Sequence, residues 1–317
     1  MSEMLYYMRW FFSCKLLGRR KPLQSVIFIT DLCNLRCQHC NVVKEGPAAR
    51  TKTLEQIRDE LQYCYDHGSR MVDFEGGEPH LWKDASDAAR ASTADGSPAD
   101  INTLVELAAQ LGFFSSTVTT NAQLPITANS DLIWISIDGS EATHDEQRGA
   151  GSYQRALANI DKCQHPNLNV NMTITNRNWR DFHSVANLVR EHPHLNRMSF
   201  SFYVPYDSRE LLVPLQLRSQ IIDTALQLKR EGYPLMNSAA ALDLLRDPAR
   251  FVNRRQCWIS NFILADGSRL ATCPGELAGV CADCGFGMAA EEVLLWSLHP
   301  QMVKAGLSVR QPTRPNN

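Results

Sequence analysis

From Val26 onward, short runs rich in β-branched and aromatic residues alternate with segments of helical apolar spacing, which restricts the chain to a narrow set of folds. Strands separated by helices pair in parallel, because each helix carries the chain back across the sheet. The expected strands are residues 26–30, 71–75, 116–120, 133–137, 170–175 and 198–204. The expected helices are 54–67, 101–111, 153–163, 182–191 and 215–231. Thr53, with Gln56 three residues on, forms a capping box for the first, and Asp100 caps the second. Six strands, mostly separated by helices, predict an α/β protein, a partial (β/α)6 barrel with ligand sites at the carboxyl ends of its strands. Residues 85–99 lack periodicity and read as a polar surface insertion.

After about Arg250 the pattern changes. Residues 261–272 read as a hairpin turning on Asp266 and Gly267, with Cys257 ahead of it, Cys273 at its end, and Cys281 and Cys284 beyond. The expected organisation is an aromatic and basic helix over 1–23, the barrel over 24–235, a small cysteine-rich β-hairpin appendage over 236–290, and a C-terminal helix with a disordered tail over 291–317.

Seven of the ten cysteines fall in two sets, Cys33, Cys37 and Cys40, then Cys257, Cys273, Cys281 and Cys284. Cys14, Cys64 and Cys163 stand alone and read as small buried hydrophobes. Arg9, Lys15 and Arg19 interrupt the N-terminal apolar run, so it does not cross a bilayer, and no signal-cleavage pattern follows it. The expected location is therefore the cytoplasm, where clustered cysteines hold metal rather than disulfides. A net charge of −2 argues against a broad nucleic-acid surface. The N-terminal run has two readings: a helix packed across the barrel, or an interfacial helix making peripheral membrane contact. Arg9 and Lys15 fall on its apolar side, which favours the first.

Cys33, Cys37 and Cys40 follow the first strand on one loop, and thiolate is the usual ligand of a closed [4Fe–4S] cluster, which takes four. Three leave one iron open. A structural zinc ion fits three close cysteines poorly when no fourth ligand is near. The C-terminal four could hold either tetrahedral zinc, as in a zinc ribbon, or a closed iron–sulfur cluster.

CysAsnLeuArgCysGlnHisCys resembles the CxxxCxΦC motif of the radical S-adenosylmethionine (SAM) superfamily, with His39 as the aromatic before the last cysteine. Gly76, Gly77, Glu78 and Pro79 resemble its second motif, and ThrThrAsnAla at 119–122, SerIleAspGly at 136–139 and the stretch 144–149 resemble later barrel segments. The C-terminal cysteines resemble the Twitch form of a SPASM-type auxiliary domain. Because no cysteine follows Cys284, they supply one cluster and not two.

The resemblance implies that SAM chelates the open iron and that one electron then cleaves it to a 5′-deoxyadenosyl radical. It also implies site roles: Gly76 and Gly77 approach the methionine, Glu78 accepts from its ammonium, and Ser136 and Asp138 reach the ribose with Asn121 nearby. Arg148 pairs the methionine carboxylate, and Val204 offers backbone to adenine. Tyr203 and Tyr206 are candidates for the substrate mouth, with Asp207 as a base.

A closed auxiliary [4Fe–4S] cluster suits electron relay, hence oxidation or dehydrogenation, and the chemistry requires a one-electron donor such as flavodoxin or ferredoxin. The favoured reading is hydrogen abstraction from a small molecule, since about 24 residues before the barrel are too few for a leader-peptide-binding domain. A peptide maturase, and a non-enzymatic iron–sulfur or zinc protein, are the alternatives.

Overall fold

The fold is a computed structural model that describes residues 3–43, 49–206, 208–250 and 252–301. After helix α1 (Glu3–Leu17) come β1 (Gln24–Thr30), α2 (Leu54–His67), β2 (Met71–Gly76), α3 (Asp87–Arg90), α4 (Ile101–Leu111), β3 (Ser115–Thr120) and β4 (Leu132–Ser136). Then follow α5 (Glu141–Arg148), α6 (Ser152–Lys162), β5 (Leu168–Ile174), α7 (Phe182–Glu191), β6 (Leu195–Phe202), α8 (Leu215–Arg230) and α9 (Ala239–Leu245). The chain ends in β7 (Ser260–Ile263), β8 (Arg269–Leu270), α10 (Pro274–Leu277) and α11 (Gly287–Trp296).

One eight-stranded sheet runs β6-β5-β4-β3-β2-β1-β7-β8. All neighbours are parallel except β7 and β8, and the sheet does not close on itself. Strand alternation builds its two faces. Ile27, Ile29, Val72, Phe74, Val118, Ile133 and Ile135 pack into the core under the helices. Their alternates, among them Asp73, Thr117, Thr119, Ser136 and Asn171, line the opposite, concave face. Helix α2 forms where expected because Leu54, Ile57, Leu61 and Cys64 make one buried stripe, the Thr53–Gln56 capping box is present, and Gly68 ends it at φ 116°.

The cysteine-rich hairpin extends the sheet, since β7 lies parallel to β1 with Val26 opposite Phe262. Its turn carries Gly267 at φ +83°. At the other edge, Phe202 N–H donates to Gly285 O at 2.8 Å and Gly287 N–H to Ser201 Oγ at 3.0 Å, so the segment after Cys284 reaches β6. The C-terminal region thus touches both edges of the open sheet.

Several expectations shift. Residues 85–99 hold the short α3, capped by Ser86, on a stem closed by the Asp84–Ala99 bridge. Helix α5 lies where no helix was expected. The C-terminal helix starts at Gly287, ahead of the expected boundary, and the tail assigned to disorder lies outside the described residues. Helix α1 packs Trp10 and Cys14 against Leu23, Ile259, Trp258 and Trp296. Among the described residues no helix is long and apolar enough to cross a membrane.

Candidate active site

β1 ends at Thr30, and the chain leaves the sheet on the excursion that carries Cys33, Cys37 and Cys40. Its stem is pinned by Asp31 N–H donating to Arg50 O at 3.0 Å and Lys52 N–H to Ile29 O at 3.1 Å. The end of β2 presses on it: Gly77 N–H donates to Thr30 O at 2.7 Å and Glu78 N–H to Leu32 O at 2.9 Å. A Cβ on Gly76 would stand 2.4 Å from Thr30 O, and one on Gly77 2.1 Å from Leu32 O. The glycines are therefore demanded by the cysteine loop's own backbone, a constraint the sequence reading had placed on the bound methionine. Gly77→Ala is expected to destabilise the protein by about 3 kcal/mol, the upper range for forcing atoms into packed structure. Denaturant unfolding would measure it, and an unchanged midpoint would contradict the packing.

Glu78 is fully buried and accepts from Thr120 Oγ1 at 2.8 Å, Asn121 N–H at 2.8 Å, His80 N–H at 3.1 Å and His80 Nδ1 at 3.0 Å. Its carboxylate thus ties β2 to the end of β3, with Pro79 opening the turn that follows. Asn121 Nδ2 reaches Cys33 Sγ at 3.5 Å and Asn34 Oδ1 at 2.8 Å, so Asn121 faces the cysteine loop.

Asp138 and Arg148, expected to contact different parts of a ligand, pair with each other. Arg148 Nε donates to Asp138 Oδ2 at 2.5 Å, Gln147 Nε2 does so at 3.1 Å, and Thr173 N–H donates to Oδ1 at 2.9 Å. His39 Nε2 lies 3.7 Å from the same carboxylate, and an Arg148 nitrogen lies 3.8 Å from Cys37 Sγ. Burial alone would raise the Asp138 pKa, but the Arg148 guanidinium bonded to it outweighs that and holds the carboxylate below its usual range. Burial pushes His39 down to about 4, against the pull of Asp138, so the ring is neutral.

Helix α5 carries this network to the cysteine loop. Gln38 N–H donates to Gln147 O at 2.9 Å, and Gln147 Nε2 meets His39 Nδ1 at 3.0 Å. Ser136 is half-buried at the end of β4 and makes no side-chain hydrogen bond among the described residues.

The second cysteine set converges. Cys257, Cys273, Cys281 and Cys284 all line one cavity of about 410 Å³, counting space open to solvent, together with Val204, Tyr206 and Arg255. Val204 and Tyr206 therefore belong to the wall of this cavity, together with Cys273. Tyr203 is buried and donates to Ser208 O at 3.1 Å, and Asp207 lies outside the described residues. Buried Arg218 donates to Cys284 O at 2.8 Å and Asp283 O at 2.9 Å, which sets a cation beside the thiols.

Among the described residues no three Cys, His, Asp or Glu side chains are drawn in to single-ion spacing. A lone zinc holds its sulfurs at about 2.3 Å. Four thiols around one cavity are a donor set that either tetrahedral zinc or a closed iron–sulfur cluster could take. Burial raises Cys37 and Cys284 to about 11 each, so binding a cluster there displaces thiol protons.

Two acids on β2 escaped the sequence reading. Alternation turns Asp73 and Glu75 to the concave face, away from Val72 and Phe74. Asp73 accepts from Thr119 Oγ1 at 3.5 Å, whereas the Glu75 side chain has no hydrogen-bond or ion-pair partner among the described residues. Burial raises both pKa values, and Asp73 raises Glu75 further. Glu75 immediately precedes the GlyGlyGluPro turn, at the carboxyl end of β2.

The family model of the Radical SAM superfamily matches residues 27–189, a little over half of the chain. The chain belongs to the radical SAM superfamily. Members of this family are enzymes that hold a [4Fe–4S] cluster and SAM. Fe-coproporphyrin III synthase of Methanosarcina barkeri is 28% identical over 181 residues, covering 54% of this chain and 42% of that protein. The antilisterial bacteriocin subtilosin biosynthesis protein AlbA of Bacillus subtilis is 24% identical over 194 residues, covering 57% and 39%. Among solved structures, Streptococcus suis SuiB bound to precursor peptide SuiA matches with a TM-score of 0.61 at 16% identity, covering 99% of this chain and 73% of that one. That likeness is one of fold. The chain spans about two fifths of the length of these curated relatives.

Proposed function

We propose that this is a radical SAM enzyme that oxidises its substrate by hydrogen abstraction, with Cys33, Cys37 and Cys40 holding the SAM-binding cluster and Cys257, Cys273, Cys281 and Cys284 an auxiliary [4Fe–4S] cluster. When bound, the cluster and SAM supply the electron and the carbon radical that remove a hydrogen atom. This reading divides the chain into a barrel over 24–235 and a cluster domain over 236–290. The observation that carries it is the single cavity lined by all four C-terminal cysteines, at the same end of the sheet as β6 and its following loop.

The protein's own groups have distinct tasks. Asn121, Arg148 and Gln147 hold the cysteine loop in place, and Ser136 keeps a free hydroxyl toward the concave face. Glu75, at the carboxyl end of β2, is the candidate to take the proton that an oxidation leaves, and a cluster held by Cys257, Cys273, Cys281 and Cys284 would accept the remaining electron. The polar concave face suits a polar substrate, and the tetrapyrrole named for the M. barkeri relative keeps a small molecule the first choice. A peptide is the second reading, favoured by the precursor peptide in the SuiB structure and by the bacteriocin named for AlbA.

Anaerobic reconstitution of the full chain should yield about eight irons, and Cys273→Ala or Cys281→Ala about four, with release of 5′-deoxyadenosine kept in both. About four irons in the unaltered protein, with bound zinc, would sink the auxiliary-cluster reading.

A further inference from the structure

Helix α1 is apolar on two sides. Its inner side carries Trp10 and Cys14, and Phe11 and Trp10 stack on Trp296 and Trp258 at 5.8 and 6.2 Å between ring centroids. On the outer side Met4, Leu5, Met8, Phe12 and Leu16 form a row at helical spacing, each between 48% and 75% exposed. A helix that is apolar all round belongs in an interior or at a boundary, and the inner side already has its partner. The outer row therefore awaits something else.

Charge says what. The first 21 residues carry Arg9, Lys15, Arg19, Arg20 and Lys21 against the single acid Glu3, in a chain whose net charge is −2. Arg9, Arg19 and Arg20 are exposed beside or just beyond the apolar row. A second copy of the chain on this face would set these cations against their own mates, because a two-fold interface brings like patches together. An anionic surface suits the exposed Arg9, Arg19 and Arg20. Lying flat, α1 would sink its Met, Leu and Phe side chains between headgroups while the long basic side chains reach phosphate. Trp10 Nε1 donating to Lys21 O at 2.8 Å and Lys15 Nζ 4.5 Å over Trp296 fix the helix to the body, so little ordering remains to be done on binding.

We propose that the outer face of α1 docks on an anionic phospholipid membrane. The inference stands independently of the cluster assignments.

Co-sedimentation of the full-length holoprotein tests it, with vesicles of phosphatidylcholine alone and vesicles containing about 30% phosphatidylglycerol. The protein should partition onto the anionic vesicles at least about tenfold more strongly than onto the neutral ones, and high salt should remove most of that difference. Phe12→Glu with Leu16→Glu should abolish binding. Both side chains are exposed, so iron content and circular dichroism should stay as in the unaltered protein. Arg19→Glu with Arg20→Glu should weaken binding by about tenfold or more. Failure of the unaltered holoprotein to bind anionic vesicles would overturn the proposal. So would vesicle binding undiminished in the Phe12/Leu16 variant. A dimer that this variant dissolves, without vesicle binding, would assign the face to a second copy instead.

Discussion

Replacing Cys33, Cys37 or Cys40 with alanine should abolish cleavage of SAM and remove about four of about eight irons, while the barrel stays folded. The separation of activity from folding follows from where the loop is held. Its stem is closed by backbone bonds from Asp31 and Lys52, and its middle by Gln38, Asn34 and Asn121, none of which needs a thiol. Cys40 is exposed and Cys33 and Cys37 are half-buried, so truncation leaves no large cavity in the core. Removing one of three ligands leaves the cluster too few anchors, and the expected fall in nucleoside release is to background. Iron analysis, nucleoside quantification and circular dichroism on the same sample check all three parts. Nucleoside release from the Cys37→Ala protein near the unaltered level would mean that this loop does not hold the SAM-binding cluster.

The barrel was readable because its burial is apolar and periodic. Helices α2 and α7 lie at residues 54–67 and 182–191, as expected, since Leu54, Ile57 and Leu61, or Phe182, Val185 and Val189, write a 3.6-residue stripe. Helix α5 was not readable for the converse reason. The residues it buries are His144, Gln147 and Arg148, which are drawn inward by hydrogen bonds to Asp138 and the cysteine loop. Hydropathy has no signal for burial of that kind. A Ser140 in cap position and Gly149 after the last turn were the available cues.

The motif resemblance assigns Asp138, Arg148 and Glu78 to a bound ligand, and the fold adds protein partners that the motifs do not reveal. Their nearest partners are protein groups, because a buried carboxylate takes whatever donors the fold offers first. Glu75 was passed over as an ordinary strand residue beside a recognised motif. The alternation of β2, which turns it away from Val72 and Phe74 and onto the face of Asp73, sets it apart.

Glu75→Gln should leave SAM cleavage intact and lower substrate oxidation by about 10²- to 10⁴-fold, the range for loss of a general base. Glutamine keeps the shape and polarity of the side chain but cannot take a proton, so packing is not the variable. The pH dependence fixes the sign. Burial, and then the neighbouring Asp73, raise the Glu75 pKa above the ordinary carboxylate range, and a base works only when ionised. Oxidation should therefore rise with pH along a limb that lies above that range. Asp73→Asn removes a negative neighbour from the same concave face, which eases ionisation of Glu75 and should move the limb to lower pH. Thr119 can still hydrogen-bond the asparagine, so the strand pairing is kept. A limb that stays in place in Asp73→Asn, or that persists in Glu75→Gln, would assign the proton to another group. Uncoupled nucleoside release, measured in parallel at each pH, separates a lost base from a lost cluster.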